Sequence, residues 1–375
     1  MDNAIVQRAL LITVDGFDPS YLDFPDLPTL RRLGAEGAVC LNCSTTFPTL
    51  TTSCLASLLT GTYPATHGIP SSAFYDKATD TRMDAPRGIA VPTVAEVLKA
   101  HGHRTAAVAH FLLEHRGADV YLPASANMAE QVARVFATIN PTFLALYLGA
   151  TDEAGHRFGP TSSEMRRVVQ DVDRQIGDVL TELERRGWLR EAVVVITSDH
   201  GMTDLPAGGG LTGRVETALQ ASGVQHEYAA SRHTFRADTE VVWMRCVRVA
   251  LVWERRPLSP EKRERLLNAL RNIEGIETIV DAAQLKRLRA SPRVADYVLI
   301  PARDKHFATG DKGGHGSFAE MHVPLLLWGA GVQRGALTEA SNVDVVPTLL
   351  RLLDVPIPEH VEGEVLKAAT WAKIL

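Results

Sequence analysis

The sequence predicts an α/β fold: a doubly wound, mostly parallel sheet flanked by helices, with a small α+β module inserted in its second half. Three observations predict it. Continuous apolar runs without alternation recur along the chain, the pattern of parallel strands covered on both faces. Between them lie stretches with apolar residues at helical spacing, and strands alternating with helices imply a doubly wound sheet. From about Leu205 to His306 the texture changes to short helices mixed with strands.

The first run, Ala9 to Val14, ends in Asp15-Gly16. Thr105 to Ala109, Phe143 to Leu148, Ala192 to Thr197 and Val323 to Trp328 repeat the strand pattern. Pro92 stands where a helix would begin, and Gly102 follows its end. Ser162 to Gly187 sets Met165, Val168, Val169, Val172, Ile176, Val179, Leu180 and Leu183 at helical spacing, the stripe of a core-facing helix. After the break at Ala207-Gly-Gly-Gly210, Arg248 to Trp253 reads as a strand and Ser259 to Ile273 as a helix. The expected division is a core of residues 1–205 and 306–375, and an inserted cap module of residues 206–305.

Composition narrows the function classes. Of 375 residues, 45% are hydrophobic and 22% charged, which excludes intrinsic disorder. Lysine and arginine number 39 against 44 acidic residues, a net charge of −5, with no polybasic run for a nucleic-acid polymer or a membrane surface. No apolar run approaches the ~20 residues that span a bilayer. Ala9 to Val14 is too short for the apolar core of a signal peptide, so a cytoplasmic location is expected. Cys40 and Cys43 form a nominal C-x-x-C, but with only Cys54 and Cys246 besides, there is no second pair. All four read as ordinary core or loop cysteines.

In open α/β sheets ligands gather at the carboxyl ends of the strands. Asp15, Asp152 and Asp199 each fall just past a predicted strand end, and His156, His200 and His315 stand beside them or beside glycine. Carboxylate and imidazole together suit zinc or a similar divalent ion. An Asp-Gly after a strand is by itself more often a turn; the ordered set at strand ends is what points to a metal site. A further segment, Phe47-Pro-Thr-Leu-Thr51, places hydroxyls before a helical run that ends at Gly61. Such a hydroxyl lies at the positive end of the helix dipole, where a phosphoryl group binds, although a Thr N-cap would look the same.

The motifs together resemble the alkaline phosphatase superfamily, and within it the nucleotide pyrophosphatase/phosphodiesterase branch that also holds phosphonoacetate hydrolase. The resemblance rests on Asp15-Gly16, Phe47 to Thr51, Thr60 to Ile69, Asp152 to Pro160, Ser198 to Met202 and His315-Gly316. It implies two divalent ions, zinc above manganese or iron, one on Asp152, His156 and His315, the other on Asp15, Asp199 and His200 with the Thr51 hydroxyl. It further implies Thr51 as nucleophile and a phospho-threonine intermediate, with two ions about 4 Å apart activating the hydroxyl and polarising the phosphoryl group.

Departures from the branch fall around the substrate. Ser72 stands where relatives place an Asn that donates to a phosphoryl oxygen. The stretch from Ala107 to His115 lacks the lysines with which phosphonoacetate hydrolase holds its substrate, which leaves His110 or His115 as candidate contacts. No Cys or Ser followed by x-Pro-x-Arg is found at Cys43 or Cys54, as sulfatases require. The expected activity is hydrolysis of a phosphodiester or nucleotide pyrophosphate bond in a small phosphorylated substrate. A phosphomonoesterase or phosphonate C–P hydrolase is the alternative among enzymes of the superfamily, and a non-catalytic member that binds a phospholigand is the alternative of a different class. Neither the leaving group nor the oligomeric state is written in these residues.

Overall fold

A computed structural model describes residues 5–84, 88–231 and 234–370. Its centre is a nine-stranded sheet in which Arg8–Val14 pairs in parallel with Phe143–Leu148 on one side and Ala192–Thr197 on the other. Thr105–Val108 and Val120–Leu122 extend it in parallel beyond Phe143–Leu148. On the opposite side His322–Gly329 and then Ala38–Ser44 complete the body of the sheet, edged by Gly335–Ala336 and Ala340–Ser341.

Alternate residues of each central strand enter different cores. Ala9 and Leu11 pack with Val193 and Val195 on one face, and Leu10, Ile12 and Val14 with Val194 and Ile196 on the other. The first face is covered by the helices Thr51–Thr60, Val94–Ala100 and Val345–Leu352, the second by Pro28–Glu36, Met128–Thr138 and Ser163–Arg185. Strands buried on both sides need no polar alternation, so the unbroken apolar runs follow from this layering. Each fully buried Val, Leu or Ile contributes roughly 1.5–3 kcal/mol relative to exposure.

His322–Gly329 lies antiparallel to both its neighbours, because an apolar run specifies burial and not direction. Ala38–Ser44 is a strand the apolar pattern did not announce: Leu41 and Asn42 are exposed in its middle. The helix expected from Pro92 begins two residues later, at Val94, where Thr93 and Glu96 form a reciprocal capping box. Ser162 caps the long helix Ser163–Arg185 as its sequence suggests. Within that stripe the buried Asp173 does more than face the core. Its carboxylate accepts from Thr29 N at 3.1 Å and Leu30 N at 2.7 Å, satisfying the free amides that open the helix Pro28–Glu36.

Between residues 206 and 305 the chain builds a second, five-stranded sheet, ordered His226–Tyr228, Val241–Cys246, Val249–Glu254, Tyr297–Pro301, Ile276–Asp281. Helices Thr212–Ser222 and Pro260–Arg271 cover one face. The other packs on Phe47 and on Phe74 and Tyr75 of the hairpin Ala73–Asp84, so it rests against the segment that leads to Thr51. Among the described residues no helix is long and apolar enough to cross a membrane.

Candidate metal and nucleophile site

The six Asp and His candidates converge above the carboxyl ends of the central strands. Asp15 directly follows Arg8–Val14, and Asp199 and His200 follow Ala192–Thr197. Asp152 and His156 lie one helical turn apart on Ala150–Phe158, which puts both on one face. Gly16 makes this approach possible. Its φ is +64°, and a Cβ there would meet Asp152 Cα at 3.1 Å.

The side chains form two sets of three, Asp152 with His156 and His315, and Asp15 with Asp199 and His200, with the donor atoms of each set within 4.8 Å of one another. In the first, Asp152 Oδ1 lies 3.3 Å from His156 Nε2 and 3.7 Å from His315 Nε2. In the second, His200 Nε2 lies 3.3 Å from Asp15 Oδ1 and 3.4 Å from Asp199 Oδ2. The rings of His200 and His315 stack at 3.6 Å, which joins the two sets into one cluster.

All three imidazoles are oriented alike. His156 Nδ1 donates to Gly313 O at 3.0 Å, His200 Nδ1 to Gly201 O at 3.0 Å, and His315 Nδ1 to Thr49 O at 2.7 Å. A carbonyl only accepts, so Nδ1 carries a proton and Nε2 is the atom each ring turns to the cluster, the orientation of metal-bound histidines. The carboxylates complement this. Asp15 Oδ1, Asp152 Oδ1 and Asp199 Oδ2 are buried and accept no hydrogen bond from any described residue. Lone pairs buried without donors are costly unless a cation takes them. The donor set therefore fits divalent metal ions.

Electrostatics carry the same strain. Burial, then the charges of Asp199 and Asp152, push the Asp15 carboxyl well above the carboxylate range. Burial and Asp152 likewise hold Asp199 up, at about 7. Asp152 falls below the usual range: burial opposes this, but the close approach of His156 and the nearby His315 and His200 prevail. His156 rises to about 9 because burial is outweighed by the Asp152 carboxylate 3.3 Å from its Nε2. Burial and the neighbouring His200 drive His315 down to about 3.

Thr51 is the first residue of the helix Thr51–Thr60, and the N-cap is Leu50, which makes no side-chain cap. The Thr51 hydroxyl is thus free of capping duty and lies 3.1 Å from His200 Nε2, beside the second set. Ser72 is exposed and stands at the same helix end, its Oγ 2.9 Å from the Thr52 hydroxyl and 3.4 Å from Thr52 N. His110 is not brought to the open site. Its ring is wholly buried, neither nitrogen hydrogen-bonds to a described residue, and its centroid lies 5.9 Å from that of Tyr147, so it is closed off from solvent. His115 is exposed elsewhere on the same loop.

Tyr147, outside the motifs, and Ser198 and Thr49, within them but not expected as site residues, hold the cluster in place. The Tyr147 hydroxyl donates to Asp15 Oδ2, leaving Oδ1 to face His200. Ser198 Oγ accepts from Phe17 N at 2.8 Å and donates to His200 O at 2.8 Å. Thr49 accepts from His315 through its carbonyl, and its hydroxyl accepts from Gly316 N at 2.9 Å. The signal for Tyr147 was present: one hydroxyl near the carboxyl end of an otherwise apolar buried strand.

Comparison with known proteins identifies the family and the fold. The bis(5'-adenosyl)-triphosphatase enpp4 of Mus musculus is 32% identical over 220 residues, covering 52% of this chain and 47% of that protein. The ectonucleotide pyrophosphatase/phosphodiesterase family member 7 of Homo sapiens is 26% identical over 219 residues, covering 52% and 48%. The chain thus spans about half the length of the curated relatives it matches. Human ectonucleotide pyrophosphatase/phosphodiesterase 5 has the same fold, with a TM-score of 0.78 at 20% identity over 96% of this chain and 97% of that one. The sequence model of the Type I phosphodiesterase / nucleotide pyrophosphatase family matches residues 9–323, a span that holds all six donors and Thr51. By that match the chain belongs to the Type I phosphodiesterase / nucleotide pyrophosphatase family.

Proposed function

We propose that this protein hydrolyses a phosphodiester or nucleotide pyrophosphate bond with two bound divalent ions, Thr51 acting as nucleophile. One observation carries the reading: an uncapped threonine hydroxyl at a helix N-terminus lies 3.1 Å from His200, in one of two adjoining sets of three candidate metal donors. Family membership supports the bond class, and the names of relatives, among them bis(5'-adenosyl)-triphosphatases, support small nucleotide substrates.

Asp152, His156 and His315 would hold one ion; Asp15, Asp199, His200 and the Thr51 oxygen would hold the other. Mixed imidazole and carboxylate donors favour zinc, with manganese or iron also matching the chemistry. When bound, such ions supply Lewis-acid stabilisation of phosphoryl charge and lower the pKa of a hydroxyl or water. The protein supplies position. The helix end orients Thr51, its first-turn amides and Ser72 offer donors to a phosphoryl oxygen, and the histidine tautomers are locked by backbone carbonyls. Thr51 Oγ forms a bond to phosphorus as the bond to the leaving oxygen breaks, and its proton passes to solvent. Water then cleaves the Thr51–phosphorus bond, releasing the phosphorylated product and restoring the hydroxyl. The module of residues 206–305, resting on the segment before Thr51, is placed to act as the cap that shapes the pocket.

The test is a panel of phosphomonoester, phosphodiester, dinucleoside polyphosphate and phosphonate, compared by kcat/KM with zinc present and Thr51→Ala as the blank. Diesters or dinucleoside polyphosphates should lead, and Thr51→Ala should lose at least about 1,000-fold. A monoester preference, or turnover that survives Thr51→Ala, would overturn the assignment.

A further inference from the structure

The turn that joins Val241–Cys246 to Val249–Glu254 is the part of the inserted module that touches the metal-donor cluster. It has two residues, Val247 and Arg248, since Cys246 and Val249 are paired across it. Val247 has φ +49°, a left-handed conformation unfavourable to a β-branched residue and usually given to Gly or Asn in such turns. The surroundings hold it there. A Cβ on Gly314 would meet Val247 Cγ1 at 2.6 Å, and one on Gly316 would meet Val249 Cγ2 at 3.1 Å. The glycines on both sides of His315 are therefore the bed on which this turn lies.

Arg248 completes the join. It is 2% exposed, and its backbone N donates to His315 O at 3.2 Å. One guanidinium nitrogen donates to Ser317 Oγ at 2.6 Å and to Glu320 Oε1 at 2.9 Å. A second donates to Ala302 O at 3.3 Å and Arg303 O at 3.2 Å, within the module, and Nε has no partner among the described residues. Glu320 is 1% exposed, receives Ser317 N at 2.9 Å, and also accepts from the Thr203 hydroxyl. A buried arginine thus ties the module to the loop that presents His315. An ion pair of this kind is weak evidence for stability but, once built, is costly to break on one side.

We propose that Arg248 is a positioning residue for His315, so that cation binding at Asp152, His156 and His315 depends on the docked module. The inference rests on the proposed metal function and adds to it a role for the inserted module. Groups that orient metal ligands are worth about 10- to 100-fold in affinity. Arg248 acts through the loop backbone, so its loss weakens one cation and spares the other, held by Asp15, Asp199 and His200.

The experiment is zinc titration by chelator competition on the full chain, resolving two affinities, alongside thermal melting. Arg248→Met should weaken one zinc about 10- to 100-fold and leave the second within about twofold. Arg248→Lys, which retains the charge beside Glu320, should recover part of the loss. Ser317→Ala, which removes one arginine contact and is the milder change if Arg248→Met does not fold, should weaken the same zinc in the same direction. Arg263→Met serves as control. It breaks the Arg263–Glu254 pair, 2.7 Å in length and wholly within the module, and should lower the melting temperature without moving either affinity. If all Arg248 and Ser317 variants bind both ions as wild type does, or lose both equally, the positioning role is wrong. If wild-type protein itself binds no pair of zinc ions, it is the proposed function that falls.

Discussion

Removing the hydroxyl of Tyr147 tests how its bond to Asp15 supports the proposed cation site on Asp15, Asp199 and His200. Tyr147→Phe keeps the ring against Phe111 and deletes only the donor to Asp15 Oδ2. Asp15 Oδ1 already lacks a hydrogen bond, so the variant leaves both oxygens without one. A hydrogen bond to a charged acceptor is worth about 1.5–3 kcal/mol, which converts to a cation affinity about 10- to 150-fold weaker. The pH dependence has a definite sign. Burial and the neighbouring carboxylates raise the Asp15 carboxyl, and the Tyr147 bond is among the influences that lower it. Without that bond Asp15 holds its proton more firmly, and a cation must displace it. The loss should therefore be larger near about pH 6 than near about pH 8. Zinc affinity by chelator competition at both pH values is the assay. Tyr75→Phe, which removes a hydroxyl bonded to Asp80 at 2.6 Å in a distant hairpin, is the control. Equal zinc affinity in Tyr147→Phe and wild type at both pH values would refute the reasoning.

Two other substitutions separate stability from chemistry. His110 is held down at about 3 by burial, so the unfolded chain takes up its proton first as pH falls from about 6.5, and stability drains away through that window. His110→Phe should keep or raise the urea midpoint at neutral pH and flatten its acid decline; an unchanged acid slope would show that His110 carries no such linkage. Asp173→Ala strips the acceptor from Thr29 N and Leu30 N and should cost about 1–3 kcal/mol by urea unfolding. Its zinc affinities should stay as in wild type, since the helix it caps lies away from the cluster.

The sheet was legible wherever both faces of a strand are buried, as in Arg8–Val14 and Ala192–Thr197, because an unbroken apolar run has few other uses. Ala38–Ser44 escaped because its pattern is diluted by the exposed Leu41 and Asn42, and Val120–Leu122 because it is short and only half-buried. The direction of His322–Gly329 could not be read from burial. At the site, the chemistry-bearing residues stood out because each adjoins a glycine or a strand end. Their supports did not. Thr49 works through its carbonyl, which no side-chain pattern records, and Arg248 through a loop 67 residues away in the chain from its nearest contact there, His315. Asp173 looked like one polar position in an apolar stripe, and only packing showed which helix it caps.

The net charge of −5 sharpens the question of how an anionic substrate approaches this cluster. Asp15, Asp152 and Asp199 converge beside Thr51, and the partial charge of a helix N-terminus contributes only about 0.3–1 kcal/mol towards holding an anion. One unit charge facing another of like sign at about 4 Å costs about 4 kcal/mol at the dielectric typical near a protein surface. Repulsion outweighs the helix unless cations reverse the field. On the proposed function, cations are therefore expected to bind before the phosphoryl group. Inorganic phosphate tests this without turnover. Calorimetry should detect its binding to zinc-loaded protein and none to chelator-treated protein at the same concentration. Equal affinity in both forms would place anion recognition in the helix and its hydroxyls alone, and would remove the need for metal in the first step.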